Sequence, residues 1–143
     1  MSDTSLYKEQ LLDHFKNPRN KAIADMSDKA FIKRGSNPRC GDDIEVGFNI
    51  VDEHIESLEF RGRGCSVCLA SSSMMTEILN GLRIDEAQIL AAKMRDWIAG
   101  DEPEIPEYLQ PLSAVKNHPA RKKCVLLCWN AMNDGLEDYL VRI

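Results

Sequence analysis

Ile44, Val46, Phe48 and Ile50 alternate with Glu45, Gly47 and Asn49, the period-two signature of a strand with one buried face. Asp52-Glu53 supplies a turn, and Ile55 through Phe60 returns as a partner strand. Ahead of this pair, Ala30 to Arg34 reads as a further strand that ends in a Gly-Ser-Asn-Pro turn. Three antiparallel strands are therefore expected.

Helical spacing governs the rest of the chain. Residues 4–16 set Leu6, Leu11, Leu12 and Phe15 along one stripe of a short amphipathic helix, which Asn17-Pro18-Arg-Asn20 stops. After Arg61-Gly-Arg-Gly64, the residues Val67, Leu69, Ala70, Met74, Met75, Ile78 and Leu79 recur at helical intervals up to Asn80-Gly81. The next helix spans about Asp85 to Ala99, with Asp85 and Gln88 as its capping box and Gly100 as its stop. Pro103, Pro106 and Pro111 make 101–118 an irregular or briefly helical connection. Pro119 then opens a final helix with Val125, Leu126, Trp129, Met132, Leu136 and Leu140 on its apolar face. No repeat or low-complexity tract interrupts this order. The expectation is a single α+β domain over 1–143, a three-stranded antiparallel sheet packed against a group of helices.

Composition narrows the class. A chain of 143 residues buries roughly 70% of its unfolded surface, enough for a core without disulfides. No apolar run approaches the ~18 residues of a membrane span, and the first residues carry neither a signal-peptide core nor an arginine-rich presequence. No membrane role is expected, and the cytoplasm is the default location. There the five cysteines stay reduced. A net charge of −5 argues against nucleic acid as a partner. Yet Lys33, Arg34, Arg39, Arg61, Arg63, Lys116, Arg121, Lys122 and Lys123 all crowd near cysteine-bearing segments. Solvated surface charge explains that clustering, and so does a metal centre: a divalent ion with three thiolates and a carboxylate is net negative, and nearby cations offset it and lower thiol pKa values.

Three cysteines sit where the local pattern changes: Cys40 in Asn37-Pro-Arg-Cys40-Gly41-Asp42, Cys65 in Gly64-Cys65-Ser-Val-Cys68, and Cys124 in Arg121-Lys-Lys-Cys124. Cys65 falls at a helix start, where the dipole and free N–H groups favour a thiolate, while Cys124 draws on Arg121, Lys122 and Lys123 instead. Gly41 permits a tight turn that points Asp42 back toward Cys40. Three soft sulfurs and one carboxylate oxygen form a tetrahedral set suited to zinc or to iron in a cluster. Each cysteine taken alone also fits a small core residue. Cys68 and Cys128 open a rival four-cysteine set with Cys65 and Cys124, but both fall within apolar helical stripes and are read as core. His118 is a further ligand candidate, with a capping or solvated histidine as the simpler reading.

Leu6-Tyr7-Lys-Glu-Gln-Leu-Leu-Asp-His-Phe-Lys-Asn-Pro-Arg-Asn20, Asn37-Pro-Arg-Cys40-Gly-Asp42-Asp43, Gly62-Arg-Gly-Cys65-Ser-Val-Cys-Leu-Ala-Ser-Ser-Ser-Met-Met75 and Arg121-Lys-Lys-Cys124 resemble the NifU N-terminal domain family. These are iron–sulfur cluster assembly proteins of the IscU and SufU type, with a SufE/NifU-like fold. The resemblance implies Cys40, Asp42, Cys65 and Cys124 around one exposed metal site. IscU-type scaffolds carry a histidine directly before the third cysteine and an upstream Leu-Pro-Pro-Val-Lys chaperone-recognition segment; this chain has Lys123 and His118-Pro-Ala-Arg-Lys, so chaperone docking does not carry over. The long 100–117 connection and the Arg121-x-Lys123-Cys124 arrangement look like SufU.

By that likeness, zinc is the cofactor and a cysteine desulfurase the partner. The sulfur-accepting residue is then Cys124, Arg121 holds its thiolate, and Cys40, Asp42 and Cys65 retain the metal. The alternative is a scaffold on which a [2Fe–2S] cluster is assembled on Cys40, Cys65 and Cys124 and passed to downstream apo-proteins. A zinc-stabilised structural module is a third reading; it leaves the flanking cations without a part.

Overall fold

Residues 3–143 are described by a computed structural model; Met1 and Ser2, part of the N-terminal stretch read above for a targeting signal, lie outside the described residues. The sheet comprises β1 (Phe31–Asn37), β2 (Asp42–Val51) and β3 (His54–Arg63), antiparallel in the order β1-β2-β3. Around it run α1 (Asp3–Lys16), α2 (Ser66–Leu79), α3 (Ile84–Ala99), a 3₁₀ stretch (Glu107–Val115) and α4 (Pro119–Arg142). The expected α+β architecture is the observed one. No helix among the described residues is long and apolar enough to cross a membrane.

Alternation drives the sheet onto the helices. Ile44, Val46 and Phe48 of β2 point into a core that includes Trp129, Met132 and Leu136 of α4 and Met74, Met75 and Leu79 of α2, all at most 1% exposed. In β3 period-two alternation does not hold throughout. A register shift opposite Gly47 to Asn49 and a positive φ of 53° at Ser57 reset the phase, so Leu58 and Phe60 follow Ile55 inward. The outer face of the sheet carries ion pairs, Arg34 with Asp43 at 2.6 Å and Arg61 with Glu45 at 2.8 Å.

The strands run further than periodicity indicated. Gly35, Ser36 and Asn37, read as a turn, stay paired with Ile44, Asp43 and Asp42. The reversal is a 3₁₀ turn at Pro38–Cys40, completed by Gly41 at φ 70°, a left-handed value that glycine adopts without strain. Arg61 and Arg63 likewise belong to β3. Both extensions carry the strand ends toward the cysteines.

Two local expectations are corrected. The α3 helix begins at Ile84, and its capping contact is the Arg83 N–H donating to Glu86 Oε1 at 3.3 Å, not a box of Asp85 and Gln88, because Asp85 is already inside the first turn. In α1 the stripe expected to be buried is largely outside, with Leu6 51%, Leu12 48% and Phe15 38% exposed. That helix instead faces the body of the protein with Leu11 and His14; Nδ1 of His14 pairs with Ser73 Oγ of α2 at 2.7 Å, and Nε2 lies 3.3 Å from the Tyr108 hydroxyl.

Candidate metal centre

Backbone register builds the site. Asp43 of β2 pairs with Arg63 of β3, which sets Asp42 beside the Gly64-Cys65 exit from β3. Cys65 is the N-cap residue of α2, as the sequence indicated, and its N–H donates to Asp42 Oδ1 at 2.8 Å. Cys40 closes the β1–β2 turn next door. The α4 helix crosses the same end, with Pro119 at its first turn and Cys124 one turn further in.

Donor atoms of Cys40, Asp42 and Cys124 all lie within 4.8 Å of one another, the one such group of three among the described residues. Cys40 is half-buried, whereas Asp42 is 1% and Cys124 0% exposed. The Cys40 and Cys124 thiols both approach the Ala120 carbonyl oxygen, each at 3.9 Å. Cys65, expected as the fourth donor, is outside this tight group and joins it through its bond to Asp42. His118 is the exposed N-cap residue of α4, without a side-chain capping bond. Cys68 and Cys128 are fully buried, in line with their core reading, and Cys128 Sγ packs against Ser71 Oγ at 3.5 Å.

Asp42 tests whether these residues suit a cation. Its Oδ1 is satisfied by the Cys65 N–H, but Oδ2 is buried with no hydrogen-bond partner. An orphaned carboxylate oxygen costs several kilocalories per mole of desolvation, which a bound cation offsets. The Cys124 thiol makes the same point: burial pushes it well above the ordinary cysteine range, and the neighbouring Asp42, Cys40 and Cys65 add to the rise. This corrects the expectation that neighbouring cations lower its pKa. Lys122 and Lys123 face a groove instead, and desolvation outweighs their field. A metal ion supplies the missing positive charge, so the donor set fits one.

The basic residues divide by role. Arg34 and Arg61 are held in ion pairs, and Lys116 stands 5.0 Å over the Trp97 ring. Arg121 remains at the site, fully exposed, with Nη1 4.0 Å from Cys40 Sγ, and its pKa is raised first by a hydrogen bond with Cys124. Arg39, Lys122 and Lys123 border a groove of about 650 Å³ floored by Leu126 and Leu127 beside the site. Asn37, buried, was not assigned a role from sequence; its Nδ2 donates to Cys124 Sγ at 3.8 Å. The only signal for it was its place at the head of Asn37-Pro-Arg-Cys40.

A fold of this topology, with thiols and a buried carboxylate gathered at one end of the sheet, defines an α+β class with a candidate metal site there. The chain belongs to the NifU-like N terminal domain family, whose profile matches residues 6–143. It is 35% identical over 135 residues to the zinc-dependent sulfurtransferase SufU of Bacillus subtilis, covering 92% of this chain and 90% of that one. It is 33% identical to the iron–sulfur cluster assembly scaffold protein IscU of Streptococcus pyogenes, covering 92% and 83%. A crystal structure from Fervidobacterium islandicum, described as an assembly scaffold for the SUF system, superposes with a TM-score of 0.80 at 26% identity, covering 94% and 99%.

Proposed function

We propose that the chain is a zinc-dependent sulfur acceptor in iron–sulfur cluster assembly, taking sulfane sulfur from a cysteine desulfurase. The observation that carries this reading is the buried, unpartnered Asp42 Oδ2 beside the Cys40 and Cys124 thiols. Cys40, Asp42, Cys65 and Cys124 would hold the metal. Zinc bound there supplies a charge that keeps thiols deprotonated and protected from oxidation. The likeness to SufU of Bacillus subtilis supports zinc as the resident ion.

In this reading the Cys124 sulfur attacks the outer sulfur of the desulfurase persulfide. The partner's thiolate leaves, and Cys124 carries the new S–S bond. Asn37 donates to the Cys124 sulfur and Arg121 sets its guanidinium next to it, so both stabilise a sulfur anion. The groove bordered by Arg39, Lys122 and Lys123 opens beside Cys124 and suits an acidic partner surface. A cytoplasmic setting, where thiols stay reduced, suits this role, with iron–sulfur apo-proteins downstream.

The test is alanine production by a cysteine desulfurase with limiting reductant and no iron. A several-fold stimulation by the zinc-loaded protein, lost in Cys124→Ala, is expected; stimulation that survives in Cys124→Ala overturns the assignment. A second reading, a scaffold that assembles and hands on a [2Fe–2S] cluster as cargo, is favoured by the likeness to the IscU scaffold of Streptococcus pyogenes. It predicts no stimulation of the desulfurase, and cluster formation once iron and sulfide are supplied.

A further inference from the structure

Cys65 and Cys68 occupy the first turn of α2. Cys65 is the N-cap residue, half-buried, with φ −68° and ψ 166°, and Cys68 is fully buried one turn in. A Cys-x-x-Cys pair whose first thiol caps a helix and whose second lies just inside is the arrangement of redox-active dithiols. The acceptor reading gives Cys65 a metal to hold and leaves Cys68 without a task.

Cys68 belongs to the buried core, and Gly64 lets its thiol reach the edge of the site. A Cβ on Gly64 would stand 2.9 Å from Asp42 Oδ1 and 3.2 Å from both Cβ and Sγ of Cys68, so the missing side chain lets carboxylate and thiol converge on one point. Cys128 Sγ, by contrast, is bound up with Ser71 Oγ and the Val125 carbonyl. Cys68 Sγ makes no hydrogen bond among the described residues.

We infer that Cys65 and Cys68 form a dithiol that reduces the sulfane sulfur carried by Cys124 and releases it as sulfide; the inference rests on the acceptor reading. Cys65 attacks the Cys124 Sγ of Cys124–S–SH. The outer sulfur departs as hydrosulfide and takes the proton Cys65 gave up, and a Cys65–Cys124 disulfide forms. Cys68 then attacks Cys65 Sγ and passes its proton to the leaving Cys124 thiolate. The products are a Cys124 thiol, a Cys65–Cys68 disulfide and one sulfide. Two electrons have moved from the dithiol to the sulfane sulfur, so the first turnover needs no outside reductant, and a dithiol reductant such as dithiothreitol resets the pair.

The test charges wild type, Cys68→Ala, Cys68→Ser and Cys128→Ala with sulfur from a cysteine desulfurase and cysteine, anaerobically and without reductant, while sulfide and intact mass are followed. Wild type and Cys128→Ala are expected to release sulfide stoichiometric with the chain and to yield a digest fragment linked through Cys65 and Cys68. Both Cys68 variants are expected to release the same single equivalent of sulfide but to stop at a Cys65–Cys124 disulfide, since Cys68 acts only after the sulfide has left. A wild type that keeps the added sulfur on Cys124 and releases no sulfide, or Cys68 variants that release sulfide without a Cys65–Cys124 disulfide, overturns the inference alone. Folded protein, wild type and variants alike, that neither gains sulfur mass nor releases sulfide overturns the acceptor reading, and the inference with it.

Discussion

Asp42 and Cys65 are joined by one short bond, the Cys65 N–H to Asp42 Oδ1 at 2.8 Å, while the other oxygen of the same carboxylate is buried without a partner. One residue thus fixes the start of α2 and leaves an unmet negative charge at the thiols. Stability of the metal-free protein and affinity for the metal are set against each other there.

Asp42→Asn separates the two effects. The amide oxygen keeps the Cys65 N–H bond, and a neutral group replaces a buried, unpaired charge, so the metal-free protein is expected to melt at the same or a higher temperature. Zinc affinity falls. Thermal melts with and without a chelator, together with zinc competition, check both halves; a metal-free variant much less stable than wild type would show that the carboxylate is anchored by something else.

Zinc binding is expected to release protons and to weaken as pH falls, because the Cys124 thiol, held protonated by burial, must ionise to ligate. Calorimetry in buffers of different ionisation enthalpy measures the proton count. At a free zinc concentration a hundredfold above Kd the added stability is about 2.7 kcal/mol, read from the shift in melting on chelation.

Gly135→Ala would ordinarily stabilise a helix by about 1 kcal/mol. Here a Cβ would meet the Phe48 ring at 2.7 Å, and Phe48 is fully buried. Overpacking of this kind costs typically 1–3 kcal/mol, so a net loss of about 1 kcal/mol is expected in denaturant titration. Since α4 also carries Cys124, zinc affinity should fall with it. A stabilised variant would mean that Phe48 can turn aside.

His14 makes stability depend on pH. Burial first, then the charge of Arg19, lowers its pKa from the ordinary 6.5, while Asp13 and Glu77 oppose the shift; Ser73 and Tyr108 engage its ring from α2 and the 3₁₀ stretch. The unfolded chain therefore takes up a proton at higher pH than the folded one. The contribution of His14 is complete above pH 6.5 and is lost as pH falls below it toward the folded value. Urea titrations across that range should show the slope in wild type and its disappearance in His14→Gln; an unchanged slope in the variant would assign the effect to other groups.

The residues that were hardest to read are those whose neighbours are distant in the chain. In α1 the periodic leucines looked like the buried face, but the helix docks through Leu11 and His14 because Ser73 and Tyr108 are there to receive the imidazole. Periodicity weighs apolar side chains and gives no account of a polar one that finds partners 59 and 94 residues away. The same limit hid Asn37, whose contact with Cys124 spans 87 residues.

By itself the sequence determined the elements and their order, and the placing of Cys40 and Cys65 at element boundaries, because strand alternation, helix stops and turn residues act on neighbours a few positions apart; Cys124, read as lying at a boundary too, is one turn inside α4. It also marked Cys68 and Cys128 as interior, from the apolar stripes around them. Only the tertiary structure decided that Cys40, Asp42 and Cys124 form the tight group, with Cys65 attached through its N–H, and that burial rather than nearby lysines governs the Cys124 thiol. Those facts follow from the pairing of Asp43 with Arg63 and from the packing of α4 across the sheet end. Register and docking are settled by contacts between remote segments, and the electrostatics of a thiol depends on how completely those segments exclude water.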